Sequence, residues 1–173
     1  LPTRDAVLPM VEILVSAKKE NSSISNLFKP LRSRVGKADL IDNFPVEASA
    51  AIVREFSLAD IGVGRVVFSP DGKLKTWTVV DPAKRGNSLA LDNSPATDIR
   101  TRLQNFFTKD LGFGEIDWID FTDGIRIHFT NNDIAHIRPS GNAPQLRIYA
   151  VADSAERASE IVQRAIEEGG IYR

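Results

Sequence analysis

The chain has 173 residues, 42% hydrophobic and 26% charged, with 22 basic against 23 acidic side chains and a formal net charge of -1. That mixture supports a globular core. It gives no electrostatic footprint for bulk nucleic-acid binding and no polybasic patch for a membrane surface. Cysteine is absent, which excludes disulfides, thiol catalysis and zinc–thiolate sites.

The first element expected is a helix from about Arg4 to Lys19. Val7, Met10, Val11 and Leu14 fall at i, i+3, i+4 and i+7 and predict a core-facing stripe. Leu8, Ile13 and Val15 add apolar surface on other faces, so the helix expects neighbours on more than one side. Pro9 fits near the first turn. Because the chain starts at Leu1 and enters this helix almost at once, it is expected to be a fragment. The apolar run "AVLPMVEILV" is too short, and too interrupted by Pro9 and Glu12, to cross a membrane. It also lacks the features of a signal peptide.

"ISNLFKPLRSR" reads as a short second helix stopped or bent by Pro30, and "VGKADLIDNFP" as a connecting passage. A third helix covers Val46 to Phe56. "GRVVFSPDGKLKTWTVVD" then has the pattern of a hairpin turning at Pro70-Asp71-Gly72. "PAKRGNSLALDN" is irregular, with Arg85-Gly86-Asn87 as a loop. Ser94 and Pro95 are read as the N-cap and first position of a helix whose apolar face is Ile99, Leu103, Phe106 and Phe107, with Gly112 as its stop. Ile125, Ile127 and Phe129 alternate with Arg126, His128 and Thr130 as a half-buried strand. Asn131-Asn132-Asp133 turns the chain into a return strand, Ile134 to Ile137, and "LRIYAV" is one more. Asp153 with Glu156 forms a capping-box-like start to a last amphipathic helix through Ala155, Ala158, Ile161, Val162, Ala165 and Ile166, ended by Gly169-Gly170. The short turns imply an α+β fold, an antiparallel sheet backed by helices.

The chemistry concentrates in "RPSGNAPQLR". Arg138, Ser140, Gly141, Asn142 and Arg147 lie within ten residues. A phosphate carries roughly -1.5 to -2 charges and three strong acceptor oxygens. Binding it requires converging donors, and an arginine fork holds two oxygens at once. Glycine allows backbone amides close approach, and serine and asparagine add short donors. Pro139 and Pro144 stiffen the loop. An ordinary polar hairpin with solvated arginines has the same composition, so on these residues alone hairpin and anion cradle both stand.

Other candidates are weaker. His128 and His136 lie on strands without a paired carboxylate and read as sheet-face histidines. Asp117, Asp120 and Asp123 in "DWIDFTD" match no EF-hand spacing and read as solvated strand ends. "KPLRSRVGK" reads as a solvated basic face. The "GVG" of Gly62–Gly64 is too short to be a dinucleotide fingerprint.

"RPSGNAPQLRIYA" resembles the phosphate-binding loop of the α-D-phosphohexomutases, the phosphomannomutase/phosphoglucomutase family, commonly R-P-S-G-T-E-P-x-x-R-x-Y. "TDGIRIHF" is similar to the family strand "DGVRV-F" that precedes that loop, and "DSAERASEIV" to its closing helix. "LPTRDAVLPMVEIL" resembles the helix ending the third of four domains, and "SISNLFKPL" the segment after it. The resemblance implies that 1–43 are the last helices of the third domain. It makes 44–173 the fourth domain, of TATA-binding-protein-like fold, with an unmatched insertion at about 58–93. It further implies interconversion of hexose 1- and 6-phosphates, mannose or glucose, through a phosphoserine and a bisphosphorylated intermediate. Mg²⁺ would stand at the phosphoserine, in a cytoplasmic enzyme. Carried over, the contacts to the non-reacting phosphate are Arg138, Ser140, Gly141, Asn142 and Arg147. Asn142 stands where threonine is common. Ala143 replaces a glutamate, which removes a carboxylate from the loop and bears on substrate preference. The family's serine loop (S-H-N-P), metal loop (D-G-D-G-D) and sugar loop (G-E-x-S-G-H) are not in these residues. The chain by itself is therefore expected to hold no metal and to be inactive, depending on the N-terminal domains of a longer protein. The alternative is a non-enzymatic α+β module that binds a phosphorylated or acidic partner. A purely structural domain comes third.

Overall fold

The computed structural model describes residues 6–31, 33–79 and 93–167. The first residues of the predicted opening helix, the Arg85–Asn87 loop and Gly169-Gly170 lie outside them. The chain divides into two compact units, Leu1–Ser33 and Arg34–Arg173.

In the first unit, α1 spans Val7–Lys19 and α2 spans Ile24–Phe28. The Ser23 side chain caps α2 by accepting from the Asn26 N–H, and Pro30 follows its end. The stripe predicted to face a core does not do so in this chain. Val7 is 60% exposed, Met10 59% and Leu14 56%, and Ala17 is the buried residue of α1. Helical periodicity records a face that is fit for burial. It does not supply the surface that covers it.

The second unit is a seven-stranded sheet in the order β1-β7-β6-β5-β4-β2-β3, antiparallel at every pairing. Its strands are β1 (Val35–Ile41), β2 (Val63–Phe68), β3 (Leu74–Val79), β4 (Ile116–Asp120), β5 (Ile125–Phe129), β6 (Ile134–Pro139) and β7 (Leu146–Ala152). Its helices are α3 (Val46–Glu55), α4 (Asn93–Phe106) and α5 (Ala155–Ile166). This is the expected α+β class, an antiparallel sheet backed by helices.

Residues 35–41, expected to be a connection, form the edge strand β1 paired along its whole length with β7. Gly36, Lys37, Ala38 and Asp39 carry no alternation and are exposed, so the extended shape comes from the partner strand rather than from local pattern. Two boundaries also move. Helix α4 begins at Asn93, ahead of Ser94. The cap of α5 is Ser154, whose side chain accepts from the Arg157 N–H, rather than Asp153. Gly112, at φ +76°, closes a short 3-10 turn, Lys109–Leu111, instead of ending α4.

One face of the sheet is apolar. Leu146, Ile148, Ala150 and Ala152 of β7 alternate inward, as do Ala135 and Ile137 of β6 and Ile125, Ile127 and Phe129 of β5. They pack in one cluster with Ile52 of α3, Ile99 and Leu103 of α4, Phe107 just after it, and Ala158, Ile161, Val162 and Ala165 of α5. Each such isoleucine, leucine or phenylalanine contributes roughly 1.5–3 kcal/mol by leaving water. Because the side-chain period of a strand is two, burying this face turns Arg65, Trp118, Asp120, Arg126, His128, His136, Arg138, Arg147 and Tyr149 onto the other.

Candidate anion-binding site

The site lies on that second face, at the end where β6 turns into β7. The register sets Arg138 directly opposite Arg147, and His136 directly opposite Tyr149. Two like charges facing each other across an antiparallel pair are disfavoured by roughly 0.2–1 kcal/mol. Arg138 is partly relieved: its Nη1 donates to the Asp123 carboxylate at 3.1 Å and its Nη2 to the Tyr149 hydroxyl at 3.3 Å. Arg147 has no acidic partner among the described residues, and its Nε is buried without an acceptor. The strand pairing thus places two cations together and leaves one of them unanswered.

The loop between them is pinned from outside. The Phe44 N–H donates to the Pro144 carbonyl at 2.8 Å, and the Gln145 side-chain amide donates to Asp42 at 2.7 Å. Within it, the Ser140 N–H donates to the Gln145 carbonyl (2.9 Å) and the Gln145 N–H to the Ala143 carbonyl (2.8 Å). Ser140 is buried, and its hydroxyl accepts a long contact of 3.5 Å from the Asn142 N–H. Among the described residues, the Gly141 and Ala143 N–H groups have no protein acceptor. Exposed Gly141 does not have a positive φ, and a Cβ built on it meets nothing within 4 Å. Neither backbone strain nor packing requires glycine there. Open space beside free amides is what an approaching oxyanion needs.

All five sequence-predicted residues therefore sit on this loop and the two strand ends that carry it. Sequence reading missed three neighbours. Asp123, read as a solvated strand end, is the counter-ion of Arg138. Asp42 anchors the loop. Tyr149 hydrogen-bonds Arg138. The R-x-Y spacing marked Tyr149, but the two aspartates are identified only by tertiary contact. Gly124, at φ +84°, holds the turn ahead of β5 so close to β6 that an added Cβ would lie 2.7 Å from the Arg138 Cβ.

Electrostatics follow from these contacts. The hydrogen bond from Arg138 lowers the Tyr149 pKa below its usual value of 10.0, against burial, with Arg147 acting in the same direction. The same bond, foremost, with the Asp123 charge, raises that of Arg138. Between β1 and β7 side chains a cavity of about 350 Å³ is lined by Ala38, Asp39, Leu40, Arg147 and Tyr149.

The remaining candidates resolve into structure. His128 stacks on Trp118 (3.3 Å between centroids, 14° between planes) with Arg65 on the ring. Burial, aided by Arg126 and Arg65, lowers its pKa to about 4, so it is neutral near pH 7. The His136 Nε2 lies 2.6 Å from the Asp123 carbonyl and donates to it. Asp120 is paired with Arg65 at 2.9 Å. Burial pushes its carboxyl up, but hydrogen bonds from Thr122 and Arg65 outweigh this and leave it below the usual value. Among the described residues no group of three or more His, Asp or Glu is arranged to hold a metal ion. The acidic stretch at 117–123 thus does not fit Mg²⁺.

A one-sided antiparallel sheet whose open face ends in an arginine-flanked loop of free amides defines an α+β domain built to present donors. Comparison with known proteins makes this specific. Residues 80–168 match the family model described as phosphoglucomutase/phosphomannomutase, C-terminal domain. The chain is 34% identical over 168 residues to a phosphomannomutase of Salmonella muenchen, covering 96% of this chain and 26% of that protein. It is 25% identical over 166 residues to a phosphomannomutase of Sinorhizobium fredii (strain NBRC 101917 / NGR234), again 96% of this chain and 26% of the relative. The chain belongs to the phosphoglucomutase/phosphomannomutase family and carries its C-terminal domain. It spans about a quarter of the length of these relatives.

Proposed function

We propose that this chain is the phosphate-gripping end of a cytoplasmic hexose phosphomutase. On this reading Arg138, Ser140, Gly141, Asn142 and Arg147 hold the substrate phosphate that is not reacting, while the other end of the sugar bisphosphate exchanges its phosphoryl group. The observation that supports it most is the pair of facing arginines with the unpartnered Gly141 and Ala143 amides between them. Cations from two paired strands and unpartnered amides of the turn between them make a donor set that an oxyanion of charge about -2 answers.

The contribution is positioning. Fixed donors hold one phosphate, and the cost of orienting the substrate is met before the reaction begins. The phosphoserine, the sugar-reading loop and the Mg²⁺ that the family resemblance implies belong, in this reading, to other parts of a longer protein. On the same reading residues 1–43 close the domain before this one. The chain alone binds hexose phosphate weakly and turns nothing over. Mannose or glucose 1-phosphate is the substrate class.

The test is kinetic, on the longer protein. Conversion of mannose and glucose 1-phosphates to 6-phosphates is followed for the unmodified enzyme and for Arg147→Ala. Loss of kcat/KM in the variant is the expected result. A variant kcat/KM equal to that of the unmodified enzyme on both substrates would overturn the assignment.

A further inference from the structure

We propose that Tyr149 is a third arm of this grip, holding the Arg138 guanidinium with its oxygen and giving its own O–H to the bound anion. The inference rests on the reading above that the β6–β7 loop holds phosphate.

Tyr149 lies two residues along β7 from Arg147, on the same face, and diagonally across from Arg138. Arg138 Nη2 donates to its oxygen at 3.3 Å, and the Arg138 guanidinium carbon lies 5.5 Å from the ring centroid. A guanidinium carries donors only, so at that contact the phenol oxygen is the acceptor. Its single proton then points elsewhere, and among the described residues no acceptor meets it. An unused donor stands beside one cation and two residues along the strand from a second.

His136 flanks the ring at 5.7 Å, and a cavity opens beside Tyr149 and Arg147. Asp123, paired with Arg138, and Asp39 on the cavity rim are the carboxylates with which a bound anion competes. Cations next to the oxygen also make the O–H a better donor, in line with its lowered pKa. Phenylalanine would fill the same ring position and keep the cation–ring contact. It would remove both the acceptor for Arg138 and the extra donor.

Phosphate titration of the 173-residue chain by NMR separates the possibilities, with inorganic phosphate as the probe. Tyr149→Phe is expected to weaken phosphate binding about ten-fold, the effect of one charge-assisted hydrogen bond, with the melting temperature unchanged. In the unmodified chain, saturating phosphate should raise the ionisation pKa of the Tyr149 phenol, read from its ring carbon, because a bound anion disfavours phenolate. A purely structural tyrosine would not respond in this way. If Arg147→Ala abolishes binding while Tyr149→Phe binds as tightly as the unmodified chain, the third arm is wrong and the grip stands. An unmodified chain whose resonances do not respond to phosphate would overturn both.

Discussion

Two turns of this molecule share a vocabulary and differ in what they do with it. The β2–β3 turn reads Ser69-Pro70-Asp71-Gly72-Lys73, and the β6–β7 loop contains Pro139-Ser140-Gly141-Asn142. In the first, donors are consumed locally. The Ser69 N–H donates to the Lys73 carbonyl at 2.9 Å and the Gly72 N–H to the Ser69 carbonyl at 2.8 Å. The Ser69 hydroxyl bonds Asp71 and the Lys73 carbonyl. Gly72 has a φ of +81°, so its glycine is a conformational requirement. In the second, Gly141 has neither a positive φ nor a close neighbour, and two amides remain unused. Composition treats the two turns alike. The count of satisfied donors separates a turn that closes on itself from one that faces outward.

The comparison can be broken most sharply at the arginines. Arg138→Ala or Arg147→Ala should each cost about 1.5–3 kcal/mol of phosphate affinity, measured by calorimetry or NMR titration. A substitution in the β2–β3 turn should cost none. Gly72→Ala should instead lower the unfolding free energy by about 1–2 kcal/mol, the penalty for a side chain in the left-handed region. Denaturant unfolding would read this, and phosphate affinity should not change. Gly141→Ala should reverse that pattern, leaving stability within about 0.5 kcal/mol and weakening phosphate binding two- to five-fold, or about 0.4–1 kcal/mol, by crowding the free amides. An equal loss of stability at both glycines would remove the distinction.

The smallest effect concerns pH. Hydrogen bonds from Ser69 and then Lys73 lower the Asp71 pKa from 3.8 to about 2. A lowered carboxylate pKa stabilises the folded turn above the unfolded value and loses that support as pH falls through the folded one. Amide shifts of Gly72 and Lys73 should therefore hold steady down to about pH 4 and move between there and pH 2, with Asp71→Asn flat over that range.

Sequence pattern recovered what is repeated and local. The stripes of α4 and α5, the alternation of β5 and the Pro-Asp-Gly turn all state their own geometry. Strand β1 does not, because Gly36-Lys37-Ala38-Asp39 is extended only by pairing with β7. The stripe Val7, Met10, Val11 and Leu14 was legible as an apolar face, yet those residues are exposed. In the candidate site, the composition of the loop was readable, and so was its likeness to a known one. Its donor economy was not. That depends on the Arg138–Arg147 register, on Asp123 fifteen positions before Arg138, and on the anchoring of the loop by Asp42 and Phe44, all of which arise only when distant segments meet.

The strand order has a consequence for solubility. Among the described residues, a sheet with β1 and β3 as its outermost members has two margins of backbone to which another chain could add a strand. Lys37 and Asp39 in β1 and Lys75 in β3 stand exposed on those margins. An incoming strand would have to strip water from charges before gaining any ladder, so the sheet discourages its own extension into aggregates.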